Sequence, residues 1–164
     1  MGFTVYATAS LQHHEYIKSL GATRVFDYKS ENVLAEIVDA AKADGVTIRV
    51  GYHATGSQQL AADVMSNLRH GTEKAKLTIA PLVDPDLKVP EGVEAAFIRP
   101  PQGLEARNER LHWIFGTWLQ GKLAAKEIVA SPRIKVLEGG LASANQALEE
   151  WKAGVSCLKI VVEL

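Results

Sequence analysis

Residues 47–68 read TIRVGYHATGSQQLAADVMSNL, a stretch that contains one complete strand–turn–helix unit. Residues 47–53 are rich in β-branched and aromatic side chains, which favour a β-strand. Ser57 then stands in the position of a helix N-cap, and apolar residues recur at helical spacing from Leu60 to Leu68. The stretch therefore predicts a strand that leads through a short turn into an amphipathic helix.

Strand-like and helix-like windows alternate on both sides of this stretch. The further predicted strands are 4–9, 24–28, 75–80, 93–98, 134–137 and 158–162. The further predicted helices are 11–20 with Ser10 as its N-cap, 30–43, 105–123 and 141–152. Five prolines between positions 81 and 101 surround the strand at 93–98, which indicates an edge strand. Strands separated by helices predict right-handed β-α-β units, and so an α/β fold with a mainly parallel sheet.

The composition is that of a globular domain. The chain has 164 residues, of which 47% are hydrophobic, and a formal net charge of -1. These values argue against disorder, and the apolar runs are too short to span a bilayer. Cys157 is the only cysteine, which excludes an intramolecular disulfide and a zinc site built on several cysteines. We expect one domain over residues 1–164, no nucleic-acid partner, no membrane association and a cytoplasmic location.

Ala54, Thr55 and Gly56 form a glycine-containing turn between the predicted strand at 47–53 and the helix after it. A helix that begins there offers free N–H groups and a positive dipole end to an anion or a carbonyl. The usual phosphate-binding motifs, G-x-G-x-x-G and the P-loop, do not occur in the sequence. The three residues are candidate cofactor contacts, and the alternative is an ordinary strand-to-helix turn with a serine cap.

A second candidate group follows the strand at 4–9, at its predicted carboxyl end, where parallel α/β sheets bind ligands. It consists of Ser10, Gln12 and His13. Their hydroxyl, amide and imidazole groups are suitable partners for a phosphate. The alternative is a capping serine followed by solvated histidines in the first helical turn.

The histidines do not suggest a metal site. They are His13, His14, His53, His70 and His112. The adjacent pair points in directions about 100° apart on a helix and cannot chelate one ion from one face, so we expect no zinc. For hydrogen bonding or proton transfer in a pocket for a small molecule, the candidate groups are Tyr6, Ser10, Tyr52, His53 and His112.

Two groups of short motifs stand near the two ends of the chain. The first comprises Thr8-Ala9-Ser10, His14-Glu15-Tyr16, 18–22 and 25–28, and the second comprises 136–141, Ala147-Leu148, Gly154-Val155-Ser156 and 158–162. In residue type, order and separation they resemble the C-terminal, nucleotide-binding half of a medium-chain dehydrogenase/reductase. The most similar group is that of the fungal zinc-binding-alcohol-dehydrogenase-like proteins and trans-acting enoyl reductases.

The resemblance implies an incomplete Rossmann-like, doubly wound, mainly parallel sheet with helices on both faces. It implies that Ser10 contacts the 2′-phosphate of NADP, that Tyr28 lies beside the adenosine, and that residues 54–56 lie near the nicotinamide ribose. Residues 131–164 resemble the segment that returns to the family's catalytic domain. The substrate implied is a small apolar metabolite of secondary metabolism.

The family's amino-terminal catalytic domain, its zinc ligands, its first Rossmann strand and its glycine-rich turn have no counterpart in this sequence. In the family's sheet order, 3-2-1-4-5-6, that first strand is central. Its loss would leave the strands at 4–9 and 47–53 roughly 9–10 Å apart, two inter-strand spacings. We expect these strands to close up or a second chain to fill the gap, and we expect a homodimer.

Three functions follow from this comparison and stay open at the level of sequence. The first is a shortened enoyl-reductase-like oxidoreductase that binds NADPH and transfers hydride. The second is a cofactor-independent cyclase, isomerase or lyase that reuses the pocket of the reductase fold. The third is a non-catalytic partner subunit, for which the apolar stripe between Leu111 and Leu119 would serve as an interface.

Overall fold

The computed structural model describes residues 2–69 and 71–163, so His70 lies outside the described residues. The chain divides into two compact units, Met1–Gly103 and Leu104–Leu164. Both units contain parallel strands and helices, which confirms the predicted α/β class. No helix in the described ranges combines the length and the apolar character needed to cross a membrane.

Unit 1 follows the predicted alternation of strands and helices. In chain order its elements are β1 (Tyr6–Ala9), α1 (His14–Ser19), β2 (Arg24–Asp27), α2 (Val33–Ala43), β3 (Val50–His53), α3 (Gln58–Asn67), β4 (Ala75–Ile79) and β5 (Val93–Phe97). A 3-10 turn, Leu11–His13, precedes α1. β1 pairs with β2 in one sheet, β3, β4 and β5 pair in that order in another, and every pairing is parallel. β5 is an edge strand of its sheet, as its prolines predict.

Each sheet of unit 1 is covered by a helix. The first core combines β2, α2 and the end of α3, and its buried residues are Phe26, Val33, Ile37, Val38, Ala41 and Leu68. The second combines α3 with β4 and β5, and its buried residues are Ala62, Met65, Ala75, Leu77, Ile79 and Val93. Ile48 packs against both cores. Burial of each large aliphatic side chain contributes about 1.5–3 kcal/mol, so these cores are the main source of stability in unit 1.

β1 and β3 do not close up into one sheet, so the first of the two alternatives expected from the sequence is wrong. Among the described residues, β1 pairs only with β2, and β3 pairs only with β4. The reason lies in the helix layer, because Leu60 and Val64 of α3 pack against the core that α2 forms. Packed helices keep their axes about 8–10 Å apart, roughly twice the spacing of paired strands. The other alternative, a second chain between β1 and β3, stays a prediction.

Unit 2 begins with one continuous helical segment and ends with a strand–helix–strand unit. Its elements are α4 (Leu104–Leu111), a π-helix (His112–Trp118), α5 (Leu119–Ala124), β6 (Arg133–Leu137), α6 (Ala144–Lys152) and β7 (Leu158–Val162). β6 and β7 pair in parallel. The π-helix, whose turns are wider than those of an α-helix, thus interrupts the single α-helix predicted at 105–123. Gly116 makes room for the imidazole there, since a Cβ at this position would lie 3.3 Å from His112 Nδ1.

The two predicted serine caps have different outcomes. Ser57 caps α3, and its Oγ accepts the N–H of Leu60 at 3.1 Å. Ser10 stands at the predicted N-cap position, before the 3-10 turn that leads into α1, but its side chain makes no hydrogen bond to that turn. The Ser10 hydroxyl instead donates to Tyr28 of the neighbouring chain segment. A contact between distant parts of the sequence therefore replaces the local one.

Candidate functional site

Most of the sequence-predicted site residues lie at the carboxyl ends of the strands in unit 1. Ser10 follows β1, Tyr28 follows β2 and residues 54–56 follow β3. Parallel strands of one sheet end at the same edge, and open α/β sheets bind ligands outside that edge. The structure therefore brings the cofactor candidates to the carboxyl edges of the two sheets, although they are far apart in sequence.

At the end of the first sheet, two hydroxyl groups and an ammonium group form what we call the polar cluster: Ser10, Tyr28 and Lys29. Ser10 Oγ donates to Tyr28 Oη across 3.4 Å. Lys29 Nζ lies 5.8 Å from the centre of the Tyr28 ring, within the range of a cation–π interaction. The register pairs Ala9 with Asp27, which sets the following residues side by side. The polar cluster presents donors and positive charge to an anion.

Gln12 and His13 lie in the turn after β1, beside the polar cluster in sequence. Gln12 Nε2 lies 3.2 Å from His13 Nε2. The next residue, His14, donates from Nε2 to the carbonyl oxygen of Ala9 at 3.1 Å. His14 thereby fixes the start of α1 to the end of β1 and determines where the turn begins.

His53 and Tyr52 point to opposite faces of the second sheet. Tyr52 is 66% exposed, whereas His53 is only 6% exposed. His53 shares its face with Gly51, whose Cβ position would lie 2.8 Å from Met65 Sδ of α3, so the imidazole faces the helix layer. His53 Nε2 is buried and has no hydrogen-bond partner among the described residues. A buried unpaired donor or acceptor costs about 1–3 kcal/mol, which sets this imidazole apart from an ordinary core residue.

The turn at Ala54, Thr55 and Gly56 is exposed throughout. Gly56 has φ +94°, a left-handed conformation that side chains other than that of glycine rarely adopt. It directs the chain into α3, whose N-terminus carries the Ser57 cap. Because α3 has ten residues, its dipole favours a negative charge or a carbonyl oxygen at this turn.

Tyr6 lies at the other end of β1 from Ser10. Its hydroxyl donates to the Asp44 carboxylate and lies 3.4 Å from the carbonyl oxygen of Ala40. Arg24 Nε donates to the same carboxylate at 2.9 Å. The hydrogen bonds from Arg24 and then Tyr6 lower the pKa of Asp44 to about 2, and burial followed by the Asp44 contact raises the pKa of Tyr6. The structure thus separates Tyr6 from the other candidates and engages its hydroxyl in a link between β1, β2 and α2.

His112 belongs to unit 2, where it is exposed at the start of the π-helix. The other candidates belong to unit 1. Within residues 2–69 and 71–163, no three His, Cys, Asp or Glu side chains come close enough together to hold a metal ion.

Sequence reasoning missed Gln58 and Gln59, the first two residues of α3. Each side-chain amide bonds to backbone groups of the loop between β4 and β5. Nothing in the sequence distinguishes these glutamines from solvent-exposed polar residues at a helix start. Only the path of the loop, which the tertiary structure provides, gives them partners.

Relatives of the chain are found among fungal proteins, over its whole length. Trans-enoyl reductase tndF of Aspergillus flavipes is 38% identical over 100% of this chain and 48% of that protein. Dehydrogenase azaJ of Aspergillus niger is 32% identical over 99% of this chain and 46% of that protein. The chain thus spans about half the length of these curated relatives. No family model matches the sequence.

Solved structures show the same fold. A mycobacterial quinone oxidoreductase has a TM-score of 0.69 at 19% identity, over 99% of this chain and 50% of that chain. CurA of Vibrio vulnificus, solved in complex with NADPH, has a TM-score of 0.62 at 19% identity, over 97% of this chain and 49% of that chain. The fold is that of the nucleotide-binding domain of such oxidoreductases. In sequence, the whole chain is therefore related to about half of a fungal trans-enoyl reductase, and in fold it matches the nucleotide-binding half of medium-chain dehydrogenase/reductase proteins.

Proposed function

We propose that this chain is the nucleotide-binding part of an NADPH-dependent enoyl reductase that acts on a small apolar metabolite. The proposal combines the fungal relatives, which include trans-enoyl reductases, with the candidate groups at the carboxyl edges of unit 1. When bound, the cofactor supplies a hydride to the β-carbon of a conjugated C=C bond and leaves as NADP⁺, and a proton completes the reduction at the α-carbon.

The polar cluster is the observation that carries the proposal. Ser10 and Tyr28 supply hydroxyl donors within 3.4 Å of each other, and Lys29 supplies a positive charge above the same ring. These are the groups that a phosphate on a ribose requires, because charged hydrogen bonds are roughly twice as strong as neutral ones. The residues present therefore fit the 2′-phosphate of NADP, with Gln12 and His13 as further donors beside it.

The second sheet supplies the groups proposed for the nicotinamide end. The exposed turn at Ala54, Thr55 and Gly56 holds a carbonyl or ribose hydroxyl through the N-terminus of α3. Tyr52 is the proposed proton donor, because its hydroxyl belongs to an exposed side chain next to that turn.

A direct test is titration of the full chain with NADPH, followed by nicotinamide fluorescence, with 2′,5′-ADP as a competitor. We expect 2′,5′-ADP to displace NADPH, and the Ser10→Ala and Lys29→Ala variants to bind NADPH about ten-fold more weakly, because each loses one charge-assisted contact. Ser19→Ala is the matched control, since the Ser19 hydroxyl donates within its own helix, to the carbonyl oxygen of Tyr16. The proposal would be contradicted if the chain did not bind NADPH, or if both variants bound it with wild-type affinity.

One observation favours a second function, cofactor-independent proton transfer. His53 has a buried Nε2 with no partner among the described residues, at the carboxyl end of β3. A sheltered imidazole of this kind is a suitable general acid or base for an isomerase or a lyase. Turnover of an apolar substrate without any nicotinamide, abolished in His53→Gln, would support this function. Strict dependence of turnover on NADPH would exclude it.

We also propose that the chain is a cytoplasmic homodimer. Unit 2 exposes several large apolar side chains along one helical segment, including Leu111, Trp113 and Phe115. Exposed apolar groups of this size are typical of protein interfaces. Light scattering after size-exclusion chromatography should give twice the chain mass, and Phe115→Asp should reduce it to the mass of one chain. A monomer at all concentrations would contradict the dimer.

A further inference from the structure

Two neighbouring side chains hold the loop between β4 and β5. Gln58 Nε2 donates to the carbonyl oxygen of Leu82 at 2.8 Å, and its Oε1 accepts the N–H of Asp84 at 2.9 Å. Gln59 Nε2 donates to the carbonyl oxygen of Lys88 at 3.0 Å, and its Oε1 accepts the N–H of Lys88 at 3.0 Å. Each amide group thus bonds to one donor and one acceptor of the loop, as a neighbouring strand would. We call this pair the glutamine clamp.

The loop between the clamp points is rigid for further reasons. Asp84 accepts hydrogen bonds from two residues further along, through Oδ1 from the Asp86 N–H and through its carbonyl oxygen from the Leu87 N–H. Leu87 packs against the core of the second sheet. Pro85 fixes its own backbone φ. The loop is therefore preorganised, and a ligand that contacts it has little ordering entropy to overcome.

The clamp holds two apolar side chains towards solvent. Leu82 is 83% exposed and Val83 is 40% exposed, although both backbone groups that flank Val83 are bonded to Gln58. They follow β4 at its carboxyl end, where the N–H of Ala80 bonds to the carbonyl oxygen of His53. The exposed pair therefore lies at the same edge as the turn at 54–56, next to the proposed nicotinamide end.

We propose that Gln58 and Gln59 are positioning residues of the ligand site, and that the loop they hold presents Leu82 and Val83 to the apolar acyl chain of the substrate. This inference rests on the proposed reductase function. It goes further by naming the acyl chain as the part of the substrate by which the site selects. The clamp fixes the positions of Leu82 and Val83. Their contact with the acyl chain favours longer chains, because each additional buried methylene adds to the affinity.

The test compares binding of crotonyl and trans-decenoyl thioesters of N-acetylcysteamine to the full chain in the presence of NADP⁺, which carries no hydride and so leaves the thioesters unreduced. The wild type is expected to prefer the longer chain, by about ten-fold or more. Leu82→Ser leaves the clamp intact and should remove most of this preference. The double variant Gln58→Leu, Gln59→Leu should do the same, because it removes all four hydrogen bonds of the clamp. Leu141→Ser and Gln146→Leu, exposed positions in unit 2, are the matched controls.

Hydrogen exchange separates positioning from folding. The amides of Asp84 and Lys88 should exchange faster in the double glutamine variant and at the wild-type rate in Leu82→Ser. If the clamp variant frees the loop but the preference for the longer thioester persists, the inference is wrong. The inference is also wrong if Leu82→Ser keeps the wild-type preference for the longer thioester. If the wild type binds neither NADPH nor thioester, the proposed function fails first, and the inference falls with it.

Discussion

At the scale of the residue, Asp44 shows how a polar side chain on the surface can join three elements. Its carboxylate accepts hydrogen bonds from Tyr6 at the start of β1 and from Arg24 at the start of β2, and it lies just beyond the last residue of α2. The same contacts explain why the Tyr6 hydroxyl, a sequence candidate for proton transfer, is engaged at the opposite end of the strand from Ser10.

This arrangement predicts a specific dependence of stability on pH. The pKa of Asp44 in the folded chain is about 2, below its usual value of about 3.9. A depressed pKa stabilises the fold above the unfolded-state value, and this contribution is lost as pH falls from about 4 to about 2. We expect Asp44→Asn to lower the melting temperature at neutral pH, and the difference from wild type to shrink across that interval. Asp39→Asn, at an exposed helix position, is the control; a constant difference would contradict the assignment.

At the scale of the element, the packing of α3 on β3 depends on a missing side chain. Gly51 stands opposite α3, and a Cβ there would lie 2.8 Å from Met65 Sδ and 3.1 Å from Leu77 Cδ1. The backbone of β3 can therefore approach the helix closely. This approach also brings His53, two residues later on the same face, into the helix layer.

Replacement of Gly51 by a larger residue tests this packing. Gly51→Val should lower the free energy of unfolding by about 1–3 kcal/mol, because an overpacked core must shift. Gly121→Ala is the matched control: a Cβ there meets nothing within 4 Å, and in the middle of a helix alanine is favoured by about 1 kcal/mol. Urea denaturation measures both. A Gly51→Val variant as stable as wild type would show that β3 and α3 are further apart.

At the scale of the whole molecule, the separation of the two sheets in unit 1 is the main structural consequence of this sequence. Helix α2 covers the first sheet and α3 covers the second, and the contact between the helices sets the distance between the sheets. β1 and β3 are consequently edge strands within the described chain. Edge strands offer backbone donors and acceptors to any strand that arrives from outside.

Hydrogen exchange of the strands measures this openness. β4 pairs on both sides, so its amides should exchange more slowly than those of β1 and β3, which pair on one side each. If a second chain fills the space, the protection of β1 and β3 will rise with protein concentration while that of β4 stays constant. Equal protection of all three strands at high dilution would contradict the separation of the sheets.

Periodicity, turn residues and short motifs are local properties, and from them alone the α/β class, the alternation of strands and helices, the Ser57 cap and the relationship to enoyl reductases could be predicted. The sequence also identified the residues at the strand ends. The tertiary structure alone decided the pairing of Ser10 with Tyr28, the engagement of Tyr6 by Asp44, the glutamine clamp and the separation of the sheets. Each of these depends on contacts between segments distant in the chain, where the partner of a polar group and the spacing of helices are set by packing.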